Sequence, residues 1–469
     1  MNYIQIGLFL VYAASTFICG LGIYALIAGN KKDHINGSVL IGEIFLFGSI
    51  FIVGELLLLS FAGLFNGVFL WPAVCFNFLF LFSGRARRLF SGIKMRFDLP
   101  ILLFGLLLAV FIFRNIYFNV DIDSLFHYLT TQRNWLSSGT SFFGGPASNS
   151  LTFVPQFDIL PSALGLSIFP QETLFPQLVN LFWRLICLVL VFGYTSYRFN
   201  GFYGLSAAAL VALNDHFFFS GENRWVLING AVIAFLFAAA YNFWEGRHSA
   251  FRLMLAFIFI FQVIGNKLQA AYIFLFFIGI GLVVQQDLRE KLKQIPSDKK
   301  WLLVSAVSIF FVSLWYIKNL IMTGNPVFPV LAGAFKTFGF THEQGEAIQK
   351  WTSGVSPALL IKYMAYFFIW PGINAAKIVI ITVCFLPLFL FFQKNKEQGR
   401  MEELYFWLCL SILAVAGTAL ACHWEPRYYR FPIGVMAFTA IASIQFMASS
   451  LGVKNRYVIG ALMLFVAFR

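Results

Sequence analysis

Charge is the scarcest thing in this sequence. Asp, Glu, Lys and Arg make up 11% of its 469 residues, against about 25% in ordinary soluble domains. That leaves too little polar surface to cover a particle in water, so a soluble globular fold is excluded. Cysteine is also sparse. The six thiols, Cys19, Cys75, Cys187, Cys384, Cys409 and Cys422, sit within or at the ends of apolar runs. None has the paired spacing of a zinc site, and the expectation is buried structural thiols. No basic segment precedes the first apolar run at Tyr3, so that run reads as a retained anchor rather than a cleaved leader. Stretches of alternating polarity, which a transmembrane barrel requires, are missing too. No internal repeat is evident.

What the chain does have is hydrocarbon. Hydrophobic residues make up 60% of it, and the mean hydropathy is +0.80. In lipid, every backbone N–H and C=O must be paired within the protein, so long uninterrupted apolar runs become helices. The sequence predicts an all-α, polytopic transmembrane bundle with about 13 spans of roughly 20 residues each. They are expected near 4–28, 39–61, 64–82, 99–117, 179–197, 202–219, 226–243, 250–265, 268–286, 301–322, 373–392, 404–421 and 429–449. A final run, 457–468, is short for a crossing: either it lies at the surface or it is an incomplete span. Residues 1–98 are read as N-terminal helices, 99–449 as the core, and 450–469 as a C-terminal segment.

The net charge of +13 does not point to nucleic acid, because its cations fall in short loops between spans. One side receives Lys31 and Lys32, the cluster from Arg85 to Arg96, Arg198, Arg247 and Arg252, Arg289 to Lys300, Lys394 to Arg400, and Lys454 with Arg456. The positive-inside rule makes that side cytoplasmic and places the amino terminus outside. Two long outside loops remain, 118–178 and 323–372. Both are rich in Trp, Phe, Pro and Gly, and both are expected to fold into short helices on the membrane surface.

Residues able to do chemistry collect in the outside loops. Asn119-Val120-Asp121-Ile122-Asp123 leads into a helix expected from about Ser124 to Ser138, stopped at Gly139. Asp123 can cap that helix and can also join Asp121 as a carboxylate pair, with His127 one turn on; the two roles do not exclude each other. Such a pair can deprotonate a hydroxyl or hold a divalent metal such as Mg or Mn. Gly221-Glu222-Asn223-Arg224-Trp225 reads as a solvated turn with an interface tryptophan, or as the place of a second carboxylate. Lys267 either snorkels to the headgroups or meets a lipid phosphate. Thr323-Gly324-Asn325-Pro326 predicts a rigid turn. In His423-Trp424-Glu425-Pro426-Arg427-Tyr428-Tyr429-Arg430 the default is anchoring, and the alternative is a guanidinium clamp on phosphate. Arg184, inside the fifth span, either snorkels or faces a cavity or partner.

Taken together, these segments resemble the GT-C superfamily of integral membrane glycosyltransferases. Asp121-Ile122-Asp123-Ser124-Leu125-Phe126-His127 is similar to that family's Asp-x-Asp-Ser-x-Tyr-His pattern, with Phe126 where Tyr is common. Asn319 followed by Thr323-Gly324-Asn325-Pro326-Val327-Phe328-Pro329 is similar to its Arg-Asn and Thr-Gly-Asn-Pro-x-Tyr-Pro segment, with Lys318 in place of Arg. Lys267 looks like the lysine that opens a later span, and Arg427-Tyr428 before Pro432 resembles the Arg-Tyr-x-x-Pro entry to a late one.

The resemblance implies a sugar donor on a polyprenyl phosphate and a glycan, lipid or protein acceptor. Asp123 or Asp121 would be the base, with Glu222 a second acid. His127, Lys267, Asn325, Arg427 and Tyr428 would bind substrate. The setting would be the outer face of a bacterial plasma membrane. The competing readings are a transporter or flippase of lipid-linked sugars, a glycan polymerase or ligase of another fold, and a non-enzymatic assembly subunit.

Overall fold

A computed structural model describes residues 2–28, 37–93, 98–115, 129–140, 157–213, 219–220, 224–225, 230–267, 299–327, 403–404, 406–413, 433–450, 454 and 457. The principal helices are α1 (Asn2–Ala28), α2 (Gly37–Phe61), α3 (Gly67–Phe76), α4 (Gly84–Gly92), α5 (Leu99–Asn115), α6 (Thr130–Ser138) and α7 (Ser162–Leu166). They continue with α8 (Leu174–Arg198), α9 (Gly201–Ala212), α10 (Gly230–Glu245), α11 (Ala250–Asn266), α12 (Lys299–Thr323) and α13 (Ile433–Ser450). Among the described residues the extended structure is one two-residue antiparallel pairing, Phe219 with Trp225 and Ser220 with Arg224, on either side of the Glu222 segment.

Four of these helices, Tyr3–Ala28, Gly37–Phe61, Leu174–Arg198 and Lys299–Thr323, are long and apolar enough to cross a membrane. A 25-residue helix is about 38 Å long, more than the ~30 Å hydrocarbon core. Shorter apolar helices surround them at Leu99–Phe113, Gly201–Ala212, Gly230–Glu245, Ala250–Asn266 and Ile433–Phe446. The span expected at 64–82 is helical over Gly67–Phe82 and ends at a sharp turn. Its α-helix stops at Phe76, a tighter 3-10 helix carries on over Asn77–Phe82, and α4 then leaves at 78°. Ser83 makes the break: its extended backbone and Oγ, accepting from the Ala86 N–H, start a new helix. The run expected at 202–219 is a described helix only to Ala212. The spans expected at 268–286 and 373–392 lie outside the described residues.

α1 and α2 pack antiparallel, as do α2 and α8, and side chains at the helix ends show which ends meet. At one end Trp301 donates to the Ile27 carbonyl (3.1 Å), and Phe251 packs edgewise on Tyr24. At the other, the Phe175 N–H bonds to Gln5, Phe65 N–H to the Gly139 carbonyl, and the Tyr316 hydroxyl to the Ile264 carbonyl. The first end also carries α4, Arg198, Arg247 and Arg252, and is called the basic end below.

Small residues set the closest approach. A Cβ on Gly20 would lie 1.8 Å from the Ile44 carbonyl oxygen, and one on Gly48 would lie 1.7 Å from that of Thr16. Helices in lipid associate through such small-residue contacts because no hydrophobic drive separates one apolar neighbour from another.

Near the basic end the core contains charge. Glu43 is fully buried, about 9 Å into α2. Arg252 Nη1 reaches its Oε1 at 2.6 Å, Tyr194 donates at 2.5 Å and Asn242 at 3.0 Å, while Tyr24 donates to Oε2 at 3.1 Å. Arg252 also donates to Asn242 Oδ1 at 2.8 Å. One carboxylate thus ties α1, α2, α8, α10 and α11 together. The sequence reading placed the residues able to do chemistry in the outside loops and did not find this cluster. Of the described cysteines, Cys19 and Cys187 are buried as expected, but Cys75 and Cys409 are exposed, because both stand on outward faces of their helices.

Candidate functional site

The end of the bundle opposite the basic one gathers segments that are far apart in the chain. Helix α6, in the first long loop, stops where the sequence predicts. Gly139 takes a left-handed backbone (φ 74°), which glycine adopts without steric cost. Gln132, one turn into α6, is fully buried and donates to the Ile159 carbonyl at 2.8 Å. The neighbouring Asp158 carbonyl accepts from the Trp183 indole at 2.8 Å. These two bonds fix the loop on α8.

Aromatic contacts extend the assembly to α12. The Trp135 ring lies 5.7 Å from Trp315 and 6.3 Å from Phe65, and Phe157 lies 6.0 Å from Trp315. Gly265, at the end of α11, faces this wall: a Cβ there would stand 2.6 Å from the Phe157 ring and 3.0 Å from Val312. The absent side chain lets α11 close on α12, where the Tyr316 hydroxyl meets the Ile264 carbonyl at 2.8 Å.

Two cations are buried here. Lys267, just past the end of α11, is 4% exposed, and its N–H bonds the Val263 carbonyl at 2.9 Å. It is enclosed by protein, so the snorkelling alternative is not what the chain does. Lys318 is fully buried, with its Nζ 4.3 Å from the Trp315 ring centre and 4.7 Å from that of Trp135. An ammonium at that range is held by the electron-rich ring faces. Only half of this clamp has a sequence signal, Trp315 and Lys318 being one turn apart on α12.

The turn that follows is rigid, as Asn-Pro predicts. Thr323 Oγ1 donates to the Asn319 carbonyl (2.7 Å) and accepts from the Asn325 N–H (3.1 Å), and Gly324 has φ 73°. Asn325 Oδ1 accepts from the Val327 N–H at 3.0 Å. Asn325, expected to bind substrate, is fully buried and uses that oxygen to shape its own turn.

Arg184 is also fully buried, about 15 Å from the start of α8. A Cβ on Gly230 would stand 3.7 Å from its Nε and 3.5 Å from Asn180 Oδ1. Of the two alternatives for Arg184, the inward one is observed.

Asp121, Asp123, His127, Glu222, Arg427 and Tyr428 lie outside the described residues. The same holds for the carboxylates expected to hold a divalent metal. Among the described residues, no three His, Cys, Asp or Glu side chains come together as a metal site. No protein-family model, no curated protein and no solved structure matches this chain.

Proposed function

We propose that this chain is a membrane glycosyltransferase of GT-C type, moving a sugar from a polyprenyl-phosphate donor to a glycan, lipid or protein acceptor at the outer face of a bacterial plasma membrane. One observation carries the reading. The first long loop, the end of α11 with Lys267, and the Lys318–Asn325 segment pack into a single assembly at the end opposite the basic loops. The end of α11 and the Lys318–Asn325 segment are two of the segments on which the resemblance rests, and the described part of the first long loop follows the third in sequence.

The chemistry follows from the substrate. The donor's lipid tail stays in the bilayer, so its phosphate presents itself at membrane depth. Asp123 or Asp121 takes the proton of the acceptor hydroxyl. The hydroxyl oxygen attacks the anomeric carbon from the face opposite the phosphate, the bond from that carbon to the phosphate oxygen breaks, and configuration inverts. The departing polyprenyl phosphate keeps the electron pair, and Lys267 with Arg427 neutralises it. General-base help contributes roughly 10²–10⁴-fold, and cations placed in advance at the developing charge contribute a further large share.

The test is surface-glycan synthesis by cells carrying Asp123→Asn, Asp121→Asn or Lys267→Ala, each checked for normal folding. Product should vanish in the base variant and in Lys267→Ala, with partial return in Lys267→Arg. Normal product from well-folded Asp121→Asn and Asp123→Asn proteins would overturn the assignment.

A flippase is favoured by one observation, the buried charges of Glu43 and Arg252, since ionisable groups among membrane helices often mark a transport path. Their depth argues the other way. Transport sites sit near the bilayer midplane, and Glu43 stands about 9 Å from the start of its helix with both oxygens bonded. Movement of an unmodified lipid-linked sugar across proteoliposomes would decide for the flippase.

A further inference from the structure

At the basic end, α4 turns across α1, with the Phe90 ring 6.3 Å from that of Phe17, and displays arginine. Beyond Glu55, the next acidic residue in sequence is Asp98, so α4 stands in a long stretch without a carboxylate. Arg85, Arg87 and Arg88 are all exposed. Among the described residues no carboxylate pairs with any of them; the ion pairs found there are Arg198–Glu403 and Arg252–Glu43. The opposite face of α4 is anchored. Ala86 is buried, and Leu89 packs against the core.

The flanks of α4 are apolar and outward-facing. Phe82, immediately before it, is 79% exposed, and Phe90 near its end is 59% exposed, with the rest of its ring edgewise on Phe17 of α1. Helix α5 then starts with Leu99 and Leu102 exposed on its outer side. Two lipid-facing elements thus adjoin α4, and the 78° turn lays it across the direction of the segment it follows. A helix set across a span, where apolar surface gives way to cations, lies at headgroup level.

We infer that α4 is a docking surface for anionic phospholipid headgroups of the basic-side leaflet, with Arg85, Arg87 and Arg88 contacting phosphates and Phe82 and Phe90 inserted among the acyl chains. A water-soluble acidic partner matches the charge but leaves the exposed rings in water, so the bilayer fits better. The inference rests on the membrane character of the chain and is independent of the transferase reading.

The test uses the full-length protein, delipidated in neutral detergent and titrated with phosphatidylglycerol or phosphatidylcholine, with bound lipid counted by native mass spectrometry. Wild type should prefer phosphatidylglycerol, and the preference should fall as salt rises. Each arginine changed to glutamine should weaken phosphatidylglycerol binding by about fivefold, and Arg85→Lys/Arg87→Lys/Arg88→Lys should keep most of it. If the triple glutamine variant does not fold, the three single variants carry the comparison. Equal binding of both lipids by wild type, or undiminished phosphatidylglycerol binding by the glutamine variants, would overturn the inference. So would displacement of phosphatidylglycerol by inorganic phosphate beyond the effect of chloride at equal ionic strength, or arginine-dependent heparin binding without lipid preference.

Discussion

A carboxylate such as Glu43 is costly among membrane helices unless every lone pair is answered. Arg252, Tyr194, Asn242 and Tyr24 answer them. Removing one partner should therefore hurt more than removing both. Arg252→Met leaves a buried, uncompensated acid and should lower stability by about 3–5 kcal/mol, whereas Glu43→Leu with Arg252→Met should cost much less. Denaturation of the detergent-solubilised variants, analysed as a double-mutant cycle, measures the difference. Lys318 offers a second test. Its ammonium lies against Trp135 and Trp315, so Trp135→Leu should cost more in the Lys318 background than in a Lys318→Met background, by about 1–2 kcal/mol. At this scale the sequence was legible only where neighbours in the chain carry the signal. The stop at Gly139 and the turn at Asn325 were predictable from local chemistry. The Lys318 clamp was not, because Trp135 comes from another loop and no local pattern announces it. Arg184 was legible as an anomaly, though its direction was not.

Elements follow the apolar runs wherever a run is long and ends in polar residues, as in α1, α2, α8 and α12. The run from 64 to 82 obeys that rule as far as Phe82 and shows what it leaves out. Its hydropathy is continuous, but Ser83 caps a new helix and bends the path, and hydropathy does not register a cap. Packing between elements was less visible still. Glycines at positions 20 and 48 carry no periodic label, yet they set the separation of α1 and α2. Gly48→Ala places a methyl group against the Thr16 carbonyl and should cost at least about 1–3 kcal/mol as the helices part. A fall in melting temperature, with no such fall for Gly105→Ala, where a Cβ meets open space, would show that the contact rather than helix propensity is responsible.

For the whole molecule, loop charge predicted which helix ends share a side, and the end-to-end contacts group them in the same way. The sidedness itself is open to direct measurement. A cysteine at Arg87 should react with a membrane-impermeant thiol reagent only in inside-out vesicles, and one at Asp123 only in intact cells or spheroplasts. Labelling of both from one side would break the topology, and with it the proposed transferase reading. Asp121, Asp123, Glu222 and Arg427 lie outside the described residues, and their roles were read from side-chain chemistry, loop position and motif order.

The glycine contact between the first two helices has a consequence for where a lipid chain could enter the bundle. With backbone touching backbone along that seam, no isoprenoid chain can slip between α1 and α2. The Phe65–Gly139 bond fastens the far end of the same pair to the α6 loop. This flank is a closed wall, and any doorway from the bilayer has to open on another side of the bundle.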